Sequence, residues 1–280
     1  MAMGGTVRHN LARFEDQAWA RRWDVLAVEE PLEVVLRHGG HEVPWLVTMR
    51  TPGRDRDLVA GLLYAEGLVT AWDQIRTITV GCPRGAATAE TSANRTVVEL
   101  EPVAGPPPRR VERATTMSSA CGVCGRQTLD ALEAANLPPL PPGPHLTAAA
   151  ILHLPESLCQ AQPAYRRTGG THAAGWFDGA GRLLRSAEDV ARHNAVDKVV
   201  GQALLEQALP AGESVLMVSG RLSWDILQKA RLAGFPIVVG LGAPSSLAVE
   251  LAARCGMTLC GFVRQGGFNV YAGLERVPGA

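Results

Sequence analysis

The rhythm of apolar and polar positions changes twice along the 280-residue chain. Early on, "LEVVL" and "VPWLVTM" are apolar, β-branched runs on either side of "HGGHE", a pattern that predicts a hairpin. "TPGRDRDLVAGLLYAEGLV" follows as a turn and a helix stopping near Gly67, and "IRTITV" and "RTVVEL" supply two further strands. Strand, strand, helix, strand, strand is the order of a small α+β roll of ubiquitin-like kind. Two proline-rich stretches then interrupt the pattern, "AGPPPRR" at 104–110 and "LPPLPPGPH" at 137–145. Each proline removes a donor and fixes φ, so neither stretch propagates helix or central strand.

Beyond the second break, strands and helices alternate. "ESVLMVSG", "FPIVVGLGAP" and "MTLCGFV" read as strands; "LSWDILQKARLAG" and "SSLAVELAARCG" read as the helices between them. Such alternation predicts a largely parallel, helix-covered sheet, with ligands bound beyond the carboxyl ends of its strands. Those ends are "SGRLS", with Ser219, Gly220 and Arg221, and "GAPSS", with Ser245 and Ser246. Each leads into a helix N-terminus, where free N–H groups favour an anion. Ser223 and Ser245 also fit plain helix caps.

A third pattern is "SAEDVARHNAVDKVVGQALLEQAL" (186–209), where Val196, Val199, Val200, Ala203 and Leu204 form an apolar stripe. Asp189, His193 and Asp197 fall on one ridge of the same helix, with Arg192, Asn194 and Lys198 beside them. Two readings stand: a solvated face with ordinary ion pairs, or a site where Asp orients His and the cations hold phosphates.

Charge narrows the classes of partner. Twenty-seven basic residues balance 27 acidic ones, so no global field draws nucleic acid or an anionic membrane. The opening "MAMGGTVRHNLARFEDQAWARRWD" has no apolar core, unlike a signal peptide or membrane span. A cytoplasmic setting is the expectation, and there the six cysteines are thiols.

Two of them form the pair Cys121–Cys124 in "SSACGVCGRQTLDAL", with a helix expected from about Gly125 to Asn136. A structural zinc needs a second ligand pair, and none exists. Nucleobase deamination needs His-x-Glu; "GGTHAAG" offers His172, but Ala174 stands where the carboxylate belongs. A redox dithiol and a persulfide carrier remain, and the pair alone does not separate them. Cys82 and Cys159 have no visible task beyond packing.

These residues resemble the FdhD-type sulfurtransferases, accessory proteins that activate formate dehydrogenase. The matching pieces are "EEPLEVVL", "TPGRDRDLVAGLLYAEGLV", "SSACGVCG", "GGTHAAG", "EDVARHNAVDKVVG", "SGRLSWDILQKARLAGFPIV", "GAPSSLAVELA" and "TLCGFVRQGGFNVYAG", running in order from about residue 29 to 273. The resemblance implies an α/β C-terminal domain of cytidine-deaminase-like architecture that has lost deaminase chemistry, and a smaller α+β N-terminal domain. The expected boundaries are 1–110, a mobile segment 111–145 carrying the cysteine pair, and 146–280.

It further implies that a cysteine desulfurase supplies persulfide sulfur and that Cys121 carries it, with Cys124 assisting or relaying. The recipient is the molybdenum bis(molybdopterin guanine dinucleotide) cofactor of formate dehydrogenase; the chain itself is expected to bind no metal directly. Phe262, Val263, Arg264, Gln265, Gly266 and Gly267 match the part assigned to cofactor binding. Asn269, Ser219, Gly220, Arg221, Ser245, Ser246, His172, Arg192, His193, Asn194, Asp197 and Lys198 complete the candidate cofactor site. A homodimer is expected, with no nucleic acid and no membrane partner. The alternatives are a cofactor chaperone without chemistry and a dithiol oxidoreductase. Ala191 replaces a glycine common in the helix motif, and Gln265-Gly266-Gly267 lacks a charge often seen there; affinity or the choice of client is what these departures touch.

Overall fold

β-Branched and apolar runs separated by turn residues build most of the strands. The computed structural model describes residues 5–38, 41–82, 93–101, 115–116 and 140–279. The chain opens with a two-stranded antiparallel ribbon, β1 (Thr6–Glu15) and β2 (Ala18–Ala27). A second hairpin, β3 (Glu30–His38) and β4 (His41–Arg50), is the one predicted around "HGGHE". Helix α1 (Asp55–Ala65) follows, then β5 (Ile75–Val80) and β6 (Arg95–Leu100). With β7 (Thr115–Thr116) these strands form a sheet of order β5-β6-β3-β4-β7, in which β3 and β6 run parallel. Leu58, Val59, Leu62 and Leu63 of α1 close its core against Leu32, Val34 and Val98.

Helices α2 (Ala148–Gln160) and α3 (Pro163–Thr168) lead into β8 (His172–Asp178) and β9 (Leu183–Asp189). Next come α4 (Arg192–Leu205), β10 (Ser214–Val218), α5 (Trp224–Ala233), β11 (Ile237–Gly240), α6 (Ser246–Arg254), β12 (Thr258–Arg264) and β13 (Gly267–Ala272). The second sheet has the order β13-β12-β11-β10-β8-β9. The predicted strands β10, β11 and β12 are parallel, as the alternation requires. The other three pair antiparallel: β8–β9 and β12–β13 are joined by short turns that allow nothing else, and β8 also lies antiparallel to β10. The sheet is therefore mixed, where the pattern predicts it largely parallel.

One face of this sheet buries Ile151, Leu154 and Leu158 of α2 with Val215, Met217 and Val239. The other face buries Val196, Val199 and Val200 of α4 with Ile226, Leu227 and Ala248. The apolar stripe read in α4 thus faces the core. Its opposite side meets α1 through two glycines, Gly61 and Gly201: a Cβ on either would collide with the backbone of the other helix. Small residues at both positions let the helix axes approach.

The proline segment ahead of α2 packs on this second unit. Pro141 lies against Gly212, Pro144 against Gly179 and Gly143 against Pro236. Among the described residues no helix is long and apolar enough to cross a membrane.

Candidate functional site

Backbone hydrogen bonds tie three strand-end loops together. Gly242 N–H donates to Gly220 O (3.1 Å), Leu222 N–H to Ala243 O (3.0 Å), Ser245 N–H to Leu222 O (3.0 Å) and Phe262 N–H to Gly242 O (3.2 Å). The carboxyl ends of β10, β11 and β12 therefore form one continuous edge. Along it stand Ser219, Gly220 and Arg221, then Ser245 and Ser246, then the Phe262–Gly267 stretch, which the sequence scatters over nearly fifty positions.

β8 runs antiparallel to β10, so its first residue arrives at the same edge. His172 Nδ1 lies 3.5 Å from Ser219 Oγ, and Ala173 N–H donates to that hydroxyl at 2.9 Å. A Cβ built on Gly220 would stand 3.3 Å from Cδ of Arg192 and 3.4 Å from Nδ1 of His172, so glycine is what lets these groups close on the loop. Burial holds His172 below the usual imidazole range, and the Arg192 and Arg221 guanidiniums push the same way. Both effects favour the neutral imidazole, and the fixed positive charge here is that of the two arginines. Arg192 Nε is buried with no hydrogen-bond partner among the described residues, whereas Arg221 and Arg264 are exposed. Such a donor-rich edge suits phosphate oxygens.

The two helix starts at this edge differ. Ser245 is a plain cap, its hydroxyl accepting from Ala248 N–H at 3.3 Å. Ser223 caps nothing with its side chain, and its hydroxyl is buried without a partner among the described residues. Asp225 already places a carboxylate in that helix's first turn, which makes the start of α5 a poorer anion seat than the loop before it.

Phe262 takes a left-handed backbone (φ +55°), uncommon for a bulky residue, at the bulge between Gly261 and Arg264. Its ring is exposed. Arg264, Gln265, Gly266 and Gly267 are exposed as well, but Val263 is fully buried in the core and reaches a ligand through its backbone only. Asn269 is exposed and donates to Tyr271 Oη at 3.2 Å.

Beneath the edge opens a cavity of about 810 Å³. His172, Ser219, Leu241 and Gln265 line it from the strand ends, and Glu156, Cys159, Gln162, Tyr165 and Thr171 line it from α2, α3 and the loop after them. The second group is absent from the sequence-derived site. One signal was available: Thr147 followed by Ile151, Leu154 and Leu158 has the cap and spacing of an amphipathic helix. Glu188 fixes this wall, accepting from Ala164 N–H (2.9 Å), Tyr165 N–H (2.6 Å) and Thr171 Oγ1 (2.9 Å). Cys159, expected merely to pack, is exposed at the cavity.

The polar residues of α4 divide. Arg192 belongs to the edge. Asn194 and Lys198 sit in the interior, between β9 and the chain leaving β4. Lys198 Nζ lies 2.7 Å from Asp189 Oδ2 and donates to Thr51 O (3.0 Å) and Glu188 O (3.2 Å). Asn194 Nδ2 donates to Met49 O (2.8 Å) and Asp189 Oδ1 (3.2 Å). Asp189 also accepts from Thr51 N–H and Ala191 N–H.

Lys198 Nζ, Asn194 Nδ2 and the Asp189 carboxylate are spent on protein partners, and Lys198, 2% exposed, has no face left for a phosphate; Asn194 Oδ1 is buried without a partner among the described residues. Asp197 pairs with Lys229 at 2.6 Å; burial raises its carboxyl to about 6. His193 is buried and held down to about 4, first by desolvation and then by Lys229. Neither the solvated face nor the phosphate seat describes Asn194, Asp197 and Lys198; they join segments inside the fold. Cys121, Cys124 and the helix expected behind them lie outside the described residues.

The FdhD/NarQ family model matches residues 27–278. A sulfur carrier protein FdhD from Streptomyces avermitilis is 43% identical over 280 residues, spanning 97% of this chain and 95% of that one. One from Mycobacterium tuberculosis is 43% identical over 282 residues, spanning 98% and 100%. The crystal structure of a formate dehydrogenase accessory protein from Desulfotalea psychrophila superimposes with a TM-score of 0.73 at 27% identity, covering 97% of this chain and 99% of the other.

Proposed function

Since the chain belongs to the FdhD/NarQ family, we propose that it is a cytoplasmic, homodimeric sulfur carrier for the maturation of formate dehydrogenase. Its relatives are named sulfur carriers, and its structural neighbour is a formate dehydrogenase accessory protein. The observation that carries the reading is the single edge where Ser219–Arg221, Ser245–Ser246 and Phe262–Gly267 meet His172 and Arg192 above a cavity of about 810 Å³. In this reading the mixed six-stranded unit is a cytidine-deaminase-like scaffold. Ala174, buried two positions after His172, stands where the His-x-Glu pattern of a deaminase has its carboxylate.

The cargo is the molybdenum bis(molybdopterin guanine dinucleotide) cofactor of the client. Its phosphates suit the Arg192 and Arg221 guanidiniums and the backbone around Gly220. Neutral His172 and the Ser219 hydroxyl are left as hydrogen-bonding groups. The Cys121 thiolate attacks the outer sulfur of a cysteine desulfurase persulfide; the donor leaves as a thiolate and Cys121 keeps the sulfur as its own persulfide. Cys124, two positions on, then attacks Cys121 Sγ. The outer sulfur departs as sulfide toward the bound cargo and a Cys121–Cys124 disulfide closes, so the pair supplies the two electrons. A thiol reductant restores it.

The test is mass spectrometry of the intact protein and its peptides after incubation with a cysteine desulfurase and cysteine. One added sulfur on Cys121, missing in Cys121→Ser, is the expected result. No added sulfur on either cysteine, with guanine-nucleotide binding intact, leaves a cofactor chaperone. A reversible disulfide without added sulfur leaves a dithiol oxidoreductase.

A further inference from the structure

The β1–β2 ribbon takes no part in anything above, and residues 6–26 lie outside the stretch that matches the family model. It pairs over its full length, joins no larger sheet among the described residues and touches the body near its base, where β2 meets α3. Its register sorts the side chains. Arg8 faces Val25, Asn10 faces Trp23, Ala12 faces Arg21 and Phe14 faces Trp19, so these share one side of the ribbon. There Arg8 lies 5.1 Å over the Trp23 ring, and the Phe14 and Trp19 rings are 5.2 Å apart. Trp19, Trp23 and Phe14 are nevertheless 72%, 63% and 58% exposed. Glu15 and Asp24 register onto the opposite side, where Arg13 pairs with Glu15. The aromatic side therefore carries two guanidiniums and no carboxylate.

The two cross-strand ring contacts add about 0.2–1 kcal/mol each, yet most of the surface of three large rings still faces water, which marks an interaction surface. Tryptophan, other aromatics and arginine are what the energetic centres of protein interfaces are made of. The charge selects among occupants. Two copies meeting through this face would oppose arginines to arginines with no carboxylate between them. Nucleic acid draws its affinity from many phosphate contacts, whereas this chain has no net charge and the aromatic side of the ribbon offers two guanidiniums. An apolar protein surface carrying carboxylates fits. Position then selects the protein: Ala27, at the end of β2, abuts Gly170, and Gly170 and Tyr165 line the cavity. The face starts at Arg8 and Val25, two positions from Ala27, and runs out to Phe14 and Trp19, about 26 Å from Ala27 along the strands, so a large protein lying along it reaches back to the cavity's rim.

We propose that the side bearing Arg8, Phe14, Trp19, Arg21 and Trp23 docks the client formate dehydrogenase through an acidic, apolar patch of that enzyme, next to the cavity. The client's identity rests on the function proposed above.

The experiment measures binding of the full-length protein to purified formate dehydrogenase of the same organism, by biolayer interferometry at several salt concentrations. Wild type is compared with W19A/W23A and with R8E/R21E, and uptake of sulfur on Cys121 is followed in the same preparations. The expected result is a loss of at least tenfold in affinity for both variants, unchanged sulfur uptake, and wild-type binding that weakens as salt rises. Wild-type affinity in both variants overturns the docking face and leaves sulfur carriage standing. Loss of self-association in place of client binding overturns it in favour of a second copy; loss of RNA binding with client affinity intact overturns it in favour of nucleic acid. Arm-dependent binding by a protein that takes up no sulfur upholds the docking face and sinks the carrier reading.

Discussion

The Lys198 ammonium lies 2.7 Å from the Asp189 carboxylate, and the two are 2% and 0% exposed. Around them converge Thr51, Met49, Glu188 and Asn194. The pair joins the chain leaving the first sheet to the start of α4, and so sets where Arg192 stands at the strand-end edge. Asp189→Asn or Lys198→Met leaves a buried charge without its counter-ion, at a cost of about 3–5 kcal/mol. Urea denaturation of each variant checks this, and the double variant is expected to recover part of the loss.

Gly201→Ala and Gly61→Ala each place a methyl group into the backbone of the facing helix. Overpacking of this kind costs about 1–3 kcal/mol or more. Thermal unfolding is expected to show a lower midpoint for both, whereas Gly267→Ala, whose added carbon meets nothing within 4 Å, leaves it near wild type.

His193 sits well below its unfolded range, at about 4, so the folded protein binds fewer protons than the unfolded chain between about pH 4 and 6.5. Its contribution is present above pH 6.5 and is lost as pH falls toward 4. Asp197, raised to about 6, acts oppositely: it favours the folded state below its unfolded range, and this is lost as pH rises through 6. The difference between wild type and His193→Gln isolates the histidine. Unfolding free energies at pH 7, 6 and 5 are expected to fall more steeply for wild type, by up to about 1.4 kcal/mol per pH unit.

Arg192→Ala and Arg221→Ala remove the two guanidiniums flanking His172. Each is expected to weaken binding of guanosine diphosphate by about tenfold or more, as loss of a charge-assisted hydrogen bond does. Isothermal titration calorimetry reads the change. An affinity equal to wild type in the double variant places the phosphates elsewhere.

Phe262→Gly relieves a bulky residue of its left-handed backbone, a strain of about 1–2 kcal/mol partly offset by the entropy of glycine. Stability is expected to hold or rise by up to about 1 kcal/mol, while nucleotide affinity falls. Calorimetric unfolding and the same titration measure the two halves of that trade.

Much of the fold was legible because its signals are local. The β3–β4 hairpin shows in its turn, α1 in its period and Gly67, and β10, β11 and β12 in apolar runs closed by Gly-rich loops. The ribbon was missed: its strands mix arginines with tryptophans, and with both sides exposed no apolar face marks the alternation. Helix α2 went unread although its cap and stripe were there. At the site, Ser219–Arg221 and Ser245–Ser246 were found at strand ends and Phe262–Gly267 through the family resemblance, without the bonds that make them one edge.

The sequence by itself determined the run from β3 to β6, the alternation from β10 to β12, two strand-end loops and the membership that the motifs announce, since each depends on residues close together in the chain. Only the tertiary structure decided what Asp189 and the polar residues of α4 do: Asp189, expected on the same helix ridge as His193, is the last residue of β9. Asp189, Asn194 and Lys198 have the composition of a solvent face or an anion site, and burial makes them neither. A charge enters the interior only when partners from other segments satisfy it, and those partners, Thr51 and Met49, lie about 140 positions away.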